Sequence, residues 1–363
     1  MKYPHFLPEN GTIAFAAPSF GCAAEPYRSA FDHAQEQFRS MGYKLMPGPG
    51  CYAAEGIGIS RAPKACGQEI NDLYTSPESD VLLSCGGGEL MCEILDHVDF
   101  DAIRAAEPKW FMGYSDNTNL TFLLPTLCDT ASIYGPCAGA FGMEPWHRSV
   151  QDAYDLLTGR NFTVHNYDRW EKESNKSDEN PLAPYHVTEP VRIRAFRAEA
   201  GRTADGADPA CDPIRFSGRL LGGCMDCLVN LTGTVYDRAA QFSEKYAGDG
   251  IIWFLEACDL NVFAIRRAIW QMKHAGWFVH AKGFLIGRPL CFGQEMMGLD
   301  QYHAVIDPLC DLNVPVIMDV DLGHLPPMMP LICGSCADVC FTPGAPAAGE
   351  EAGGELEISM RLT

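Results

Sequence analysis

Ser115 and Asp116 stand where one apolar run, Trp110-Phe111-Met112, breaks at Gly113 and a second opens after Asn117 and Thr118. A buried strand, a sharp turn that glycine permits and a helix start give that pattern. Such a turn lifts a serine hydroxyl out of the sheet, where a substrate carbonyl can meet it. The backbone N–H of Asp116, near the positive end of the helix, can then steady an oxyanion. Position 117 is Asn where the hydrolase elbow motif carries Gly. The alternative is that Ser115 or Asp116 caps the helix, which on the local pattern alone is the commoner outcome.

Two more groups sit at the ends of apolar runs. Glu256 closes IIWFLE (251–256), where an acid either caps the next helix or serves a site. His324 follows VPVIMDVDLG and precedes a proline-rich turn, a loop position at which a lone histidine is usually inert. A serine, a histidine and a carboxylate at three strand ends can together form a hydrolytic triad.

The elements that must position these groups alternate. Thr12–Ala17 reads as a buried strand, and Phe31, Ala34, Phe38 and Met41 follow at helical spacing before Gly42. Asp80–Ser84 reads as another strand, running into Gly86-Gly87-Gly88 and a helix over Glu89–His97. This rhythm predicts an α/β fold with a parallel, flavodoxin-like sheet over residues 1–150, whose functional loops lie at the C-terminal strand ends. Residues 151–217 change character: 166–184 are charged and 201–213 are rich in turn formers, which reads as an excursion or linker carrying some strand and not as a domain. Residues 218–363 read as a second α/β domain with a mixed sheet. It holds GRLLGGCMDCLVNLTGT, strands at 251–256, 283–287 and 314–324, and a helix through Val262, Ile265, Ile269 and Met272. The stretch 343–354 reads as flexible, and LEISMRL alternates like an edge strand.

The 363 residues are enough for two cores. A net charge of −20 argues against nucleic-acid or anionic-membrane partners, which need a positive footprint. The N-terminus lacks an unbroken apolar run and reads as no signal peptide, and no segment approaches a membrane span, so a cytoplasmic protein is expected. The sixteen cysteines then read as reduced thiols used as small hydrophobes. Cys224 and Cys227 form C-x2-C, and Cys333, Cys336 and Cys340 form C-x2-C-x3-C. Together they raise an alternative, a metal- or iron–sulfur-binding redox protein. The separation of the two groups, roughly a hundred residues, weighs against it.

Taken together, IAFAAPS, SCGGGE, PKWFMGYSDNTNL, GRLLGGCMDCLVNLTGT, IIWFLE, GFLIGRP and LGHLPPMMPLICG resemble the LD-carboxypeptidase family of serine peptidases in order and spacing along nearly the whole chain. The excursion and Tyr134-Gly135-Pro136 resemble the subgroup that contains microcin C self-immunity proteins. The resemblance implies Ser115 as nucleophile, His324 as general base and Glu256 as the acid that orients it, with the oxyanion held by N–H groups of Asp116 and Gly87. It implies amide hydrolysis through an acyl-enzyme without metal or organic cofactor. Two substrates compete: a murein L,D-tetrapeptide and a peptidyl or aminoacyl nucleotide. It also suggests a homodimer. Arg288 could hold a carboxylate or phosphate, or simply pair with an acid. Glu295 could bind an amino group, or be solvated. Trp170 could stack on a base, or anchor its loop. The chain departs from the family's pattern around Ser84–Glu89, and at Ala257-Cys258-Asp259 where a more acidic run is common.

Overall fold

The computed structural model describes residues 1–197, 204, 212–344 and 353–363. Most of the 201–213 and 343–354 stretches expected to be turn-rich or flexible lies outside these residues. Two compact units form: Met1–Phe162 with Glu173–His186 and Pro330–Gly334, and Thr163–Lys172 with Val187–Met329 and Ser335–Thr363.

The first unit is built on strands β1 (Thr12–Ala16), β2 (Lys44–Pro47), β3 (Val81–Ser84), β4 (Trp110–Gly113) and β5 (Ser132–Tyr134). Their order is β2-β1-β3-β4-β5, all parallel, and Leu331–Cys333 adds an antiparallel edge beside β5. This is the doubly wound order of flavodoxin-like sheets. Both faces are covered, so the strands read as continuous apolar runs. Phe15 packs edge-on to Phe31 on one face, while Ala14 and Ala16 on the other join a cluster with Ile70, Leu82, Phe111 and Leu120. The helix over Tyr27–Ser40 ends before Gly42, whose φ of +94° only glycine adopts without cost. The helix expected over Glu89–His97 forms only as a 3-10 turn, Met91–His97. Gly88 in the glycine loop takes φ +151°, and Asp99 opens the next helix by accepting from the Ala102 N–H at 2.9 Å.

The second unit carries an eight-stranded mixed sheet. Its parallel centre is Ile214–Cys224, Ile251–Glu256, Ala281–Gly287 and Pro315–Val320. Antiparallel strands flank it: Cys336–Pro343, Gly354–Arg361 and Thr163–His165 on one side, Arg194–Arg197 on the other. The polar segment after residue 151 therefore supplies both edges of this sheet, as well as a two-stranded ribbon of Arg169–Trp170 and Glu189–Pro190. All of LEISMRL but Leu362 lies in Gly354–Arg361, and that strand is not an edge: Thr163–His165 pairs with Glu357–Ser359. Alternation reports one-sided burial and does not show whether a neighbour covers the outer edge.

Candidate active site

In the first unit, β4 ends at Gly113 and the chain turns over Tyr114 into a 3-10 turn at Ser115–Asn117. Ser115 takes φ +62°, a left-handed backbone that a non-glycine residue keeps only where its surroundings hold it. They do hold it. Its N–H donates to the Tyr134 hydroxyl at 3.3 Å. Asn117, at the motif's glycine position, donates its side-chain amide to the Gly86 carbonyl at 2.8 Å and the Tyr114 carbonyl at 3.0 Å, tying the turn to the glycine loop. A larger residue at Gly113 would meet the Asn117 side chain at 2.8 Å.

The Asp116 carboxylate is buried and turned inward. It accepts from the Ser19 hydroxyl at 2.5 Å, the Met91 N–H at 2.8 Å and the Asn119 amide at 3.1 Å. It braces three segments, which fixes the plane of its own peptide. Gly87 comes directly against the serine: a methyl group there would lie 3.1 Å from Ser115 Cβ and 3.2 Å from its hydroxyl oxygen. Gly88 is constrained more severely, since a methyl would lie 2.0 Å from the Ser19 hydroxyl. The structure thus brings Ser115, Asp116 and Gly87 together in one unit.

In the second unit, Glu256 ends its strand with 1% exposure, and His324 Nδ1 lies 2.9 Å from Glu256 Oε2. Gly323, at φ +99°, makes room: a methyl would lie 2.6 Å from that same carboxylate oxygen. Burial by itself would lower the His324 pKa. The Glu256 carboxylate and a hydrogen bond with the Cys258 side chain outweigh burial, and the pKa is pushed from 6.5 up to about 11. Asp226, read in the sequence only as part of an apolar stretch, accepts from the N–H groups of Cys258 and Asp259 at 3.0 and 2.9 Å and fixes the loop after Glu256.

The remaining candidates also fall in the second unit. Arg288 is 1% exposed, donates to the Asp319 carbonyl at 2.8 Å and pairs with the buried Asp321 carboxylate. Burial raises the pKa of both aspartates, against the pull of their arginine partners. Trp170 is 6% exposed, with the Arg288 guanidinium 5.2 Å from its ring centroid and Phe292 edge-on at 5.2 Å. Trp170, Arg192, Arg194, Arg288, Phe292 and Asp319 are among the residues lining a cavity of about 400 Å³. Glu295 is exposed on the loop after Ala281–Gly287.

The cysteine groupings are dispersed. Cys333 belongs to the first unit and Cys224, Cys227, Cys336 and Cys340 to the second. On the extended Cys336–Pro343 strand, the C-x3-C spacing separates its two residues by roughly 13 Å at about 3.3 Å per residue, too far to share one ion. Among the described residues, no three or more His, Cys, Asp or Glu side chains are grouped to hold a metal.

Comparison with known proteins now decides the family. Residues 13–135 match the LD-carboxypeptidase N-terminal domain and residues 217–339 the LD-carboxypeptidase C-terminal domain. The chain belongs to the LD-carboxypeptidase family. It is accordingly a peptidase. Ser115 falls in the first matched domain, Glu256, Arg288, Glu295 and His324 in the second, and Trp170 in neither. The microcin C7 self-immunity protein MccF of Escherichia coli is 24% identical over 331 residues, covering 89% of this chain and 88% of that protein. A carboxypeptidase homologue of Vibrio cholerae is 24% identical over 338 residues, covering 91% and 92%. The solved structure of MccF in complex with aspartyl sulfamoyl adenosine shares the fold, with a TM-score of 0.76, 21% identity, and coverage of 99% of this chain and 98% of that one. An MccF-like protein of Streptococcus pneumoniae in complex with AMP gives a TM-score of 0.71 at 19% identity, covering 97% and 98%. Among the described residues no helix is long and apolar enough to cross a membrane.

Proposed function

We propose that this LD-carboxypeptidase family member is a serine hydrolase in which Ser115 attacks an amide carbonyl, His324 accepts its proton and Glu256 orients His324. The observation that carries this reading is the left-handed Ser115 at the end of β4 with Gly87 against its hydroxyl, the backbone an exposed nucleophile requires. The His324–Glu256 pair, 2.9 Å apart, supplies the base. The Asp116 and Gly87 N–H groups hold the oxyanion, each worth roughly 2.7–4 kcal/mol to the transition state. The imidazolium gives its proton to the leaving amine as the acyl-enzyme forms, and His324 then takes a proton from the water that resolves it.

For the substrate we favour a peptidyl or aminoacyl nucleotide over a murein L,D-tetrapeptide. Two of the structural relatives hold an aminoacyl sulfamoyl nucleoside and AMP, and this chain has an arginine-lined cavity walled by Trp170. Arg288, already paired with Asp321, serves that cavity as a buried anchor for Trp170, and Glu295 is the candidate for a substrate amino group. We further place the enzyme in the cytoplasm as a homodimer, as the family resemblance implies. Purified protein should be offered an aspartyl sulfamoyl adenosine-type amide and a murein L,D-tetrapeptide in parallel. Release of the amino acid from the first is the expected result, and turnover of the tetrapeptide alone would reverse the substrate assignment.

Gly87→Ala separates geometry from stability. A methyl 3.1–3.2 Å from Ser115 crowds the nucleophile, so kcat should fall roughly 10–100-fold. Stability should stay within about 0.5 kcal/mol of wild type, measured by urea unfolding. Gly88→Ala should instead destabilise the protein by about 1–3 kcal/mol, because its backbone is left-handed and a methyl would strike Ser19.

A further inference from the structure

Asn117 is fully buried, and only one end of its side-chain amide is used. Nδ2 donates to the Gly86 carbonyl at 2.8 Å and to the Tyr114 carbonyl at 3.0 Å. Oδ1 has no hydrogen-bond partner. Turning the amide over would not relieve this, because Oδ1 would then face two carbonyl oxygens. A buried polar atom without a partner costs stability, so the residue that carries it needs another reason to be there.

Supplying the two carbonyls with a donor is not that reason, since each has a second one. The Ser84 hydroxyl donates to the Gly86 oxygen at 2.9 Å, and the backbone N–H of Asn117 donates to the Tyr114 oxygen at 3.2 Å. What the side chain adds is direction. A trans peptide unit is planar, with its C=O and N–H pointing opposite ways, so a carbonyl held by two donors also aims the N–H of the next residue. The Gly86 carbonyl shares its plane with the Gly87 N–H, and Gly87 is the residue packed against the Ser115 hydroxyl. The Gly87 carbonyl accepts from the Phe20 N–H at 2.9 Å, while among the described residues the Gly87 N–H meets no protein acceptor. The Tyr114 carbonyl likewise shares its plane with the Ser115 N–H, which donates to the Tyr134 hydroxyl at 3.3 Å. One amide group therefore grips the peptide that leads into Ser115 and the peptide that leads into Gly87.

We propose that Asn117 is a positioning residue whose side-chain amide aims the Gly87 N–H at the oxyanion and fixes its distance from Ser115, at a cost in stability. The inference rests on the reading of Ser115 as nucleophile and Gly87 as oxyanion donor. An oxyanion donor acts through preorganisation: its dipole must already point at the charge that develops, because reorienting it during attack would add to the barrier. A glycine loop is the segment least able to hold such a direction by its own backbone preferences. The general elbow motif has glycine at position 117, which has no side chain to reach across, so this grip belongs to the asparagine that stands here.

The test separates alignment from folding with two variants that remove the amide differently. Asn117→Ala leaves a gap, whereas Asn117→Leu keeps the branched shape and loses only the polar atoms. Steady-state kinetics on the aspartyl sulfamoyl adenosine-type amide, or on the murein tetrapeptide if that is the one cleaved, are set beside thermal unfolding. In both variants kcat should fall about 10–100-fold while KM stays within about threefold of wild type. Asn117→Leu should melt within about 4 °C of wild type, since the unpartnered oxygen is gone and both carbonyls keep a donor. Ser84→Ala leaves the Asn117 grip in place and should lower kcat by less than about tenfold. In Ser84→Ala/Asn117→Ala the Gly86 carbonyl has neither side-chain donor, and the loss should exceed the product of the single losses. An asparagine that served folding alone would lower the melting temperature and leave kcat of the folded enzyme unchanged. That pattern, a rise in KM with kcat intact, or single losses that merely multiply in the double variant would each overturn the proposal. Ser115→Ala, run alongside, distinguishes the two levels. If it is inactive while Asn117→Leu turns over like wild type, the role of Asn117 falls and the nucleophile stands. If it stays active, the nucleophile falls and the role of Asn117 falls with it.

Discussion

Ser115→Ala should reduce kcat on the amide substrate by about 10⁴–10⁶-fold while leaving substrate affinity within a few-fold of wild type. Deleting one oxygen atom removes the only group proposed to form a bond to the carbonyl carbon. The oxyanion donors are backbone N–H groups and survive the substitution, so a slow background hydrolysis above the rate in water is expected. The variant should also be no less stable than wild type. At φ +62° both residues pay the same left-handed backbone cost, and the bracing through Asp116, Asn117 and Tyr134 uses none of the serine side chain's own atoms. Steady-state kinetics with isothermal titration of the uncleaved amide would measure both quantities. Turnover within tenfold of wild type would remove Ser115 from the nucleophile's role.

How much of this was legible beforehand depends on where the determining contact lies along the chain. Thr12–Ala16, Val81–Ser84 and Ile251–Glu256 are buried on both sides, so uninterrupted apolar runs marked them, and Gly86-Gly87-Gly88 after the second marked where the chain must turn. Lys44–Pro47 was missed because both its ends are exposed and it occupies the edge beyond β1. Leu331–Cys333 was not assignable to the first unit at all. Its partner, Ser132–Tyr134, lies about two hundred residues earlier, and no local pattern encodes that pairing. The polar segment after residue 151 was read as a linker with some strand but not as part of the second sheet, because edge strands need only half the apolar pattern of central ones.

The positions of Ser115, Glu256 and His324 at strand ends were readable for the same reason: each closes or follows an apolar run. The residues that hold them were not. Nothing in the local sequence singled out Asp226, yet it clamps the loop after Glu256. Ser19 and Asp116 are ninety-seven residues apart and meet only through the fold. Arg288 was read either as holding a carboxylate or phosphate or as pairing with an acid, and the structure shows the pairing. Its acid, Asp321, comes from the next strand, and burial of the pair depends on packing that no spacing rule expresses.

Glu256→Gln tests the other half of the proposed triad and carries the second largest effect, a loss of roughly 10⁴-fold in kcat. The loss should appear even though the substitution makes the free base more abundant. In wild type the carboxylate, with Cys258, holds the His324 pKa at about 11, so kcat/KM should climb through the alkaline range as the ring loses its proton. With glutamine the chief upward influence is gone and burial remains, so the pKa should fall and the rising limb should move to lower pH. The ring is then neutral at neutral pH, but nothing fixes its tautomer or stabilises the imidazolium formed during attack. Stability should follow the same logic. A raised histidine pKa contributes stability that is fully present below the unfolded value of about 6.5 and fades as pH rises toward about 11. Buried Lys109, whose pKa burial lowers to about 8, acts in the opposite sense, so the comparison must be between the two proteins at each pH and not along one curve. Urea unfolding from about pH 6 to about pH 10 should show the wild-type advantage shrinking as pH rises. A constant difference across that range, or a histidine NMR titration unmoved by the substitution, would mean that Glu256 does not govern His324.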